Sequence, residues 1–131
     1  TALPGGSECI LLVDDELPIV EMEQQSLASL GYTIIACTSS IEALQMFKAE
    51  PGNFDLVITD MTMPNMTGDM LAREFKMLRP EMPIILCTGF SEHIEKKTRK
   101  PEIDAFLLKP VVRDKMAGAV RKVPDTAKNE S

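Results

Sequence analysis

The sequence predicts an α/β fold: an open, doubly wound sheet of five parallel strands with helices on both faces. Five short apolar runs recur along the chain, and none alternates apolar with polar residues, which marks strands covered on both sides. Segments with apolar residues at helical spacing separate those runs. Glycine and proline fall between the segments, where the chain must turn. Right-handed crossovers then favour the strand order 2-1-3-4-5, a three-layer sandwich whose ligand crevice lies between strands 1 and 3.

The strand runs are Cys9–Val13, Thr33–Cys37, Leu56–Ile58, Ile84–Cys87 and Ala105–Leu108. In the first helical segment Val20, Leu27 and Leu30 share a face, and Glu23 and Gln24 weaken its middle turn. Ser39 with Glu42 three residues on reads as a capping box ahead of Leu44 and Phe47. Leu71, Phe75 and Leu78 form the third stripe, and Val112, Met116, Ala119, Val120 and Val123 the last. Between Glu92 and Lys100 the only large apolar residue is Ile94, crowded by Lys96, Lys97, Arg99 and Lys100, so a helix there is short and poorly anchored. Residues 1–7, with Pro4, Gly5 and Gly6, read as a flexible lead-in, residues 8–124 as one domain, and residues 125–131 after Pro124 as a frayed polar tail.

A chain of 131 residues suits one domain that needs no disulfide or metal to hold its core. With 44% hydrophobic and 26% charged residues the balance is globular. No apolar run approaches the ~20 residues of a membrane span, and the first residues lack the basic and apolar regions of a signal peptide. Fourteen Lys and Arg against twenty Asp and Glu give a net charge of −6, which disfavours direct nucleic-acid binding. Cys9, Cys37 and Cys87 are an odd count without metal-ligand spacing, and read as buried thiols of a cytoplasmic protein. His93, the one histidine, reads as a surface residue.

The strand ends carry the chemistry. Strand 1 runs into Asp14-Asp15-Glu16, strand 3 into Asp60, strand 4 into Thr88 and strand 5 into Lys109-Pro110. Ligands of open α/β sheets bind at the carboxyl ends of the strands, at the switch point that strands 1 and 3 flank. Converging carboxylates repel by about 4 kcal/mol at ~4 Å and an effective dielectric of 20. One of them then holds a proton, or a cation neutralises the set. Oxygen ligands in an open pocket suit Mg2+, which favours phosphate partners. One carboxylate then serves as a nucleophile toward phosphorus, Lys109 balances the incoming charge, and Thr88 hydrogen-bonds a phosphoryl oxygen. Plainer roles compete residue by residue: Asp14 as a helix cap, Asp60 and Thr88 as turn residues, Lys109 as a solvated charge. The peptide before Pro110 is trans by default, with cis left open.

Four motifs resemble a known family. Leu11-Leu-Val-Asp-Asp-Glu16, Asp55-Leu-Val-Ile-Thr-Asp-Met-Thr-Met-Pro64 with Gly68, Ile84-Ile-Leu-Cys-Thr-Gly89 and Phe106-Leu-Leu-Lys-Pro110 stand in the order and spacing of receiver (response-regulator) domains of bacterial two-component systems. The resemblance covers about residues 8–124. It implies a flavodoxin-like fold and a phosphoryl switch. Asp60 accepts the phosphoryl group from a phosphohistidine of a histidine kinase or phosphotransfer domain. Asp15, Asp60 and the backbone carbonyl of Thr62 ligate Mg2+, with Asp14 assisting. Thr88 and Lys109 bind phosphoryl oxygens, and Thr88 and Phe106 form the switch pair. Partner affinity then changes on the face made by the fourth helical segment, the fifth strand and the last helix. Phe106 has no hydroxyl, so that switch works by packing. Thr62 and Phe90 occupy the positions that tune water access to the acyl phosphate, and bulky Phe90 points to slow dephosphorylation.

Such a chain is no conventional enzyme, since it promotes only its own phosphotransfer and dephosphorylation. The lead-in Leu3–Ser7 and the missing initial Met resemble the linker before the C-terminal receiver of a hybrid sensor histidine kinase, with a stand-alone regulator as the other parentage. Three readings compete with the switch. A haloacid-dehalogenase-like phosphohydrolase needs a second acid where Thr62 stands. A flavin carrier needs a Ser/Thr/Gly-rich loop where Asp14-Asp15-Glu16 stands. A phosphorylation-independent interaction module has no use for the acidic set.

Overall fold

The computed structural model describes residues 3–89 and 101–130. Phe90, His93 and the basic segment 92–100 lie outside the described residues. The elements are β1 (Cys9–Val13), α1 (Leu17–Ala28), β2 (Thr33–Cys37), α2 (Ser40–Ala49), a 3-10 turn (Pro51–Asn53), β3 (Leu56–Asp60), α3 (Gly68–Leu78), β4 (Ile84–Thr88), β5 (Ala105–Leu108) and α4 (Arg113–Glu130). All strand pairs are parallel, and the order is β2-β1-β3-β4-β5. β3 and β4 each run further than their apolar cores, so Asp60 and Thr88 are the last strand residues.

The alternation of a strand explains the unbroken apolar runs. Leu11, Val13, Val57, Ile84 and Leu86 point to one face, where Ala43, Leu44 and Phe47 of α2 and Leu71, Ala72 and Phe75 of α3 cover them. Ile10, Leu12, Leu56, Ile58, Ile85 and Cys87 point to the other, under Val20 and Leu27 of α1 and Met116, Val120 and Val123 of α4. On the first face the Phe47 ring lies 4.6 Å from Phe75 and 5.8 Å from Phe54, centroid to centroid. Truncating Phe47, which is fully buried, would cost about 3–5 kcal/mol. Ser39 caps α2 by accepting from the Glu42 N–H at 3.2 Å. The three cysteines are free, and burial pushes the Cys37 thiol up to about 11.

Three expectations are corrected. The lead-in is held at its two glycines: the Gly6 N–H donates to the Leu30 carbonyl at 3.2 Å, and Arg121 Nη1 donates to the Gly5 carbonyl at 3.3 Å. A Cβ on Gly5 would stand 2.3 Å from the Leu30 oxygen, so these glycines permit close docking. The last helix does not stop at Pro124 but continues to Glu130, because Val123 is buried and Asp125 pairs with Arg121 one turn back. The Lys109–Pro110 peptide, whose isomer the sequence leaves open, is cis. In α1, Glu23 is buried beside Val20 and Leu27 instead of merely weakening the stripe.

Candidate functional site

Each strand end delivers its residue because hydrophobic burial fixes the register of the strand behind it. Asp14 follows β1, and its N–H donates to the Cys37 carbonyl of β2 at 3.2 Å. Asp60 ends β3, which is buried along its whole length. Lys109 follows β5, and its N–H donates to the Thr88 carbonyl at 2.7 Å. Residues 46 to 95 positions apart in sequence therefore meet at one sheet edge.

The acids converge there. Carboxylate oxygens of Asp14, Asp15 and Asp60 lie within 4.8 Å of one another. Asp14 and Asp60 are buried and Asp15 is exposed. Lys109 Nζ stands between the two buried acids, 2.9 Å from Asp60 Oδ1 and 3.2 Å from Asp14 Oδ2. Asp14 Oδ1 also accepts from the Glu16 N–H at 3.0 Å. The helix cap is Glu16, so Asp14 orders the turn ahead of α1 without capping it.

Charge balance follows from this geometry. Three carboxylates face one ammonium, which leaves an excess of two negative charges. Burial raises the Asp60 carboxyl above the ordinary aspartate range, and the Lys109 hydrogen bond works against that rise. The paired carboxylates hold Lys109 protonated well beyond its ordinary range. Three hard oxygen donors with one exposed side fit a small divalent cation such as Mg2+, with Asp14, Asp15 and Asp60 as the residues able to hold it.

Glycine shapes the surrounding loop. A Cβ on Gly68 would stand 2.1 Å from the Asp60 carbonyl oxygen, and the Gly68 N–H donates to the Met61 carbonyl at 2.8 Å. Only glycine lets α3 start that close to the end of β3. Thr62 lies exposed in this loop, two residues past Asp60, and Asn65 takes a left-handed φ of 72°. Thr88 is buried at the end of β4. Phe106 is half-buried beside Leu86 and packs against the α2/α3 face, away from the acids.

Glu23 is the residue that sequence reading missed. It is 9% exposed on the sheet-facing side of α1. Burial pushes its carboxyl up to about 7, Asp14 adds to the rise and Lys109 opposes it. A charged residue at a stripe position, between Val20 and Leu27, was the available signal.

The fold and site together define a class: a five-stranded doubly wound domain with an acidic, lysine-bridged pocket at its switch point. Residues 10–121 match the family model of the response regulator receiver domain, and the chain belongs to that family. It is 33% identical over 122 residues to the sensor kinase CckA of Brucella abortus, covering 91% of this chain and 13% of that protein. It is 31% identical over 112 residues to the transcriptional regulatory protein GlrR of Escherichia coli, covering 85% of this chain and 25% of that one. The chain thus spans a quarter or less of these relatives. Among solved structures, a receiver domain protein from Clostridium thermocellum superposes with a TM-score of 0.86 at 30% identity, covering 95% of this chain and 99% of that one. The response regulator TrrA of Thermotoga maritima, solved in complex with Mg(2+)-BeF, superposes with a TM-score of 0.80 at 33% identity, covering 88% and 98%.

Proposed function

We propose that this receiver domain is a phosphoryl-accepting switch, with Asp60 as the acceptor. The observation that carries the reading is the buried Asp60 carboxylate at the switch point, 2.9 Å from Lys109 and clustered with two further acids. The donor is a phosphohistidine on a histidine kinase or phosphotransfer domain. An Asp60 carboxylate oxygen attacks phosphorus, the O–P bond forms as the N–P bond breaks, and imidazole leaves. Lys109 stabilises negative charge on the phosphoryl oxygens, and the Thr88 hydroxyl donates to one of them. Asp14, Asp15, Asp60 and the Thr62 carbonyl hold Mg2+, which when bound neutralises the excess charge that would repel a phosphoryl donor.

The output is a change in partner affinity. A groove of about 390 Å³ is lined by Phe106, Leu107, Leu108, Pro110, Val112 and Lys115 beside the last helix. Leu108 and Val112 are exposed there, which suits a protein partner. Phe106 and Thr88 sit on adjacent strands, so a shift of Thr88 toward the phosphate opens space for the ring. Free thiols and the absence of a helix able to cross a membrane among the described residues fit a cytoplasmic switch. The 33% identity with a sensor kinase favours a hybrid-kinase parent over a stand-alone regulator.

Incubation with Mg2+ and acetyl phosphate or phosphoramidate, followed by intact mass, tests the reading. One added phosphoryl group is expected, with none in Asp60→Asn. An unmodified wild-type mass with every donor would overturn it.

A further inference from the structure

The loop from β3 to α3, residues 61–67, holds Thr62 two positions past Asp60, and its shape is set at three points. At its start the Met61 N–H donates to the Cys87 carbonyl of β4, and the Met61 carbonyl accepts from the Gly68 N–H, each at 2.8 Å. In its middle the Met63 side chain is buried in the core that α2 and α3 share. One residue further on, the Pro64 carbonyl accepts twice. The donors are the Met66 N–H at 2.8 Å and the Ser40 hydroxyl of α2 at 3.3 Å.

Two adjacent serines divide the tasks at the start of α2. Ser39 Oγ accepts from the Glu42 N–H at 3.2 Å and caps the helix. Ser40 is therefore not needed as the cap. Its side chain is buried, and its hydroxyl donates across 24 positions of sequence to the other loop. Burying a hydroxyl carries a desolvation cost, and alanine would fill the place without it. The bond falls beside the least relaxed point of the loop: Asn65, the next residue, has a left-handed φ of 72°. Fixing the Pro64 carbonyl fixes the peptide that leads into that turn, and with it the short stretch back to Thr62.

We propose that Ser40 is a positioning residue for the metal-binding loop, its hydroxyl holding the turn at Pro64 so that Thr62 is preset for Mg2+. This rests on the reading of Asp14, Asp15, Asp60 and the Thr62 carbonyl as the groups that hold the metal. Ser40 acts through Pro64 and adds no ligand of its own. A loop held before the cation binds loses less conformational freedom on binding. The hydroxyl therefore strengthens Mg2+ affinity without changing the charge of the pocket.

Neighbouring serines on one helix separate positioning from general loosening. Mg2+ affinity is measured by calorimetry, with no phosphoryl donor present, in the wild type, Ser40→Ala and Ser39→Ala. Ser40→Ala should weaken Mg2+ binding about three- to tenfold, the size of one neutral hydrogen bond. Ser39→Ala removes the cap of the same helix, and should lower the melting temperature while leaving Mg2+ affinity unchanged. With acetyl phosphate, Ser40→Ala should need correspondingly more Mg2+ for half-maximal phosphoryl uptake and reach the wild-type rate at saturating Mg2+. Three results would overturn this proposal alone: unchanged Mg2+ affinity in Ser40→Ala, an equal loss in Ser39→Ala, or a rate deficit that persists at saturating Mg2+. A wild type that binds no Mg2+ would overturn it together with the metal reading on which it rests.

Discussion

The two ends of the sheet both carry several acids, and they use them in opposite ways. At the amino end each acid has its own donors. Asp55 Oδ2 accepts from the Cys9 N–H at 2.8 Å, and Asp104 Oδ2 accepts from the Ile84 N–H at 2.8 Å and from Lys76 at 3.0 Å. Glu8 pairs with Arg121, which also holds Asp125 and the Gly5 carbonyl. These acids close strand starts and fasten the lead-in. At the carboxyl end Asp14, Asp15 and Asp60 face one another, and among the described residues Lys109 is the one cation between them. A satisfied carboxylate is structural, whereas carboxylates that converge with too few cations store an unmet demand for positive charge. The net charge of −6 does not distinguish the two uses; the strand end at which an acid falls does.

The sharpest way to break this contrast is to remove Lys109, the cation that bridges the acids of the carboxyl end. Lys109→Met leaves Asp14 and Asp60 buried without this counter-ion, and should cost about 3 kcal/mol in urea unfolding. Adding Asp14→Asn should recover part of that loss, because the repulsion is then relieved.

Mg2+ should act next most strongly, and at one end only. At 100 times its dissociation constant it should stabilise the wild type by about 2.7 kcal/mol. Asp60→Asn or Asp15→Asn should erase most of that gain, and Asp104→Ala should leave it whole. A Mg2+ response that survives Asp60→Asn would move the metal away from this pocket.

Glu23 gives a pH-dependent effect of intermediate size. Its carboxyl titrates near 7 in the folded chain, against an ordinary 4.5. Below about 4.5 it is neutral in both states and costs nothing. As pH rises toward 7 the unfolded chain gives up its proton first, so folding loses stability, and above 7 the loss is complete. Glu23→Gln should therefore gain about 2 kcal/mol over the wild type at pH 8, after allowance for solvent screening, and nothing at pH 4. Thermal melts across that range check the sign. The smallest effect belongs to the amino end: Asp104→Ala should cost about 1 kcal/mol and leave phosphoryl acceptance unchanged by intact mass.

Much of this was legible in the chain. Cys9–Val13 and Ile84–Cys87 read as fully covered strands because neither has a polar position to turn toward water. Once those strands are bounded, Asp14, Asp60, Thr88 and Lys109 fall at one edge without any three-dimensional information. Gly68 belonged to a readable motif, yet its reason, a carbonyl 2.1 Å from where a Cβ would be, appears only in space. Glycines 5 and 6 misled, because glycine permits both looseness and close docking, and only the Leu30 and Arg121 partners decide which.

The sequence by itself determined the five strands, their order and the chemistry at their carboxyl ends, since apolar periodicity and strand boundaries are local properties. Tertiary structure alone decided that Lys109 bridges Asp14 and Asp60, that the Lys109–Pro110 peptide is cis, that α4 crosses Pro124, and that Glu23 is buried on the sheet-facing side of α1. The physical reason is that each of these depends on which atoms arrive from distant parts of the chain. Burial and electrostatic pairing are set by those neighbours, and no local pattern encodes them.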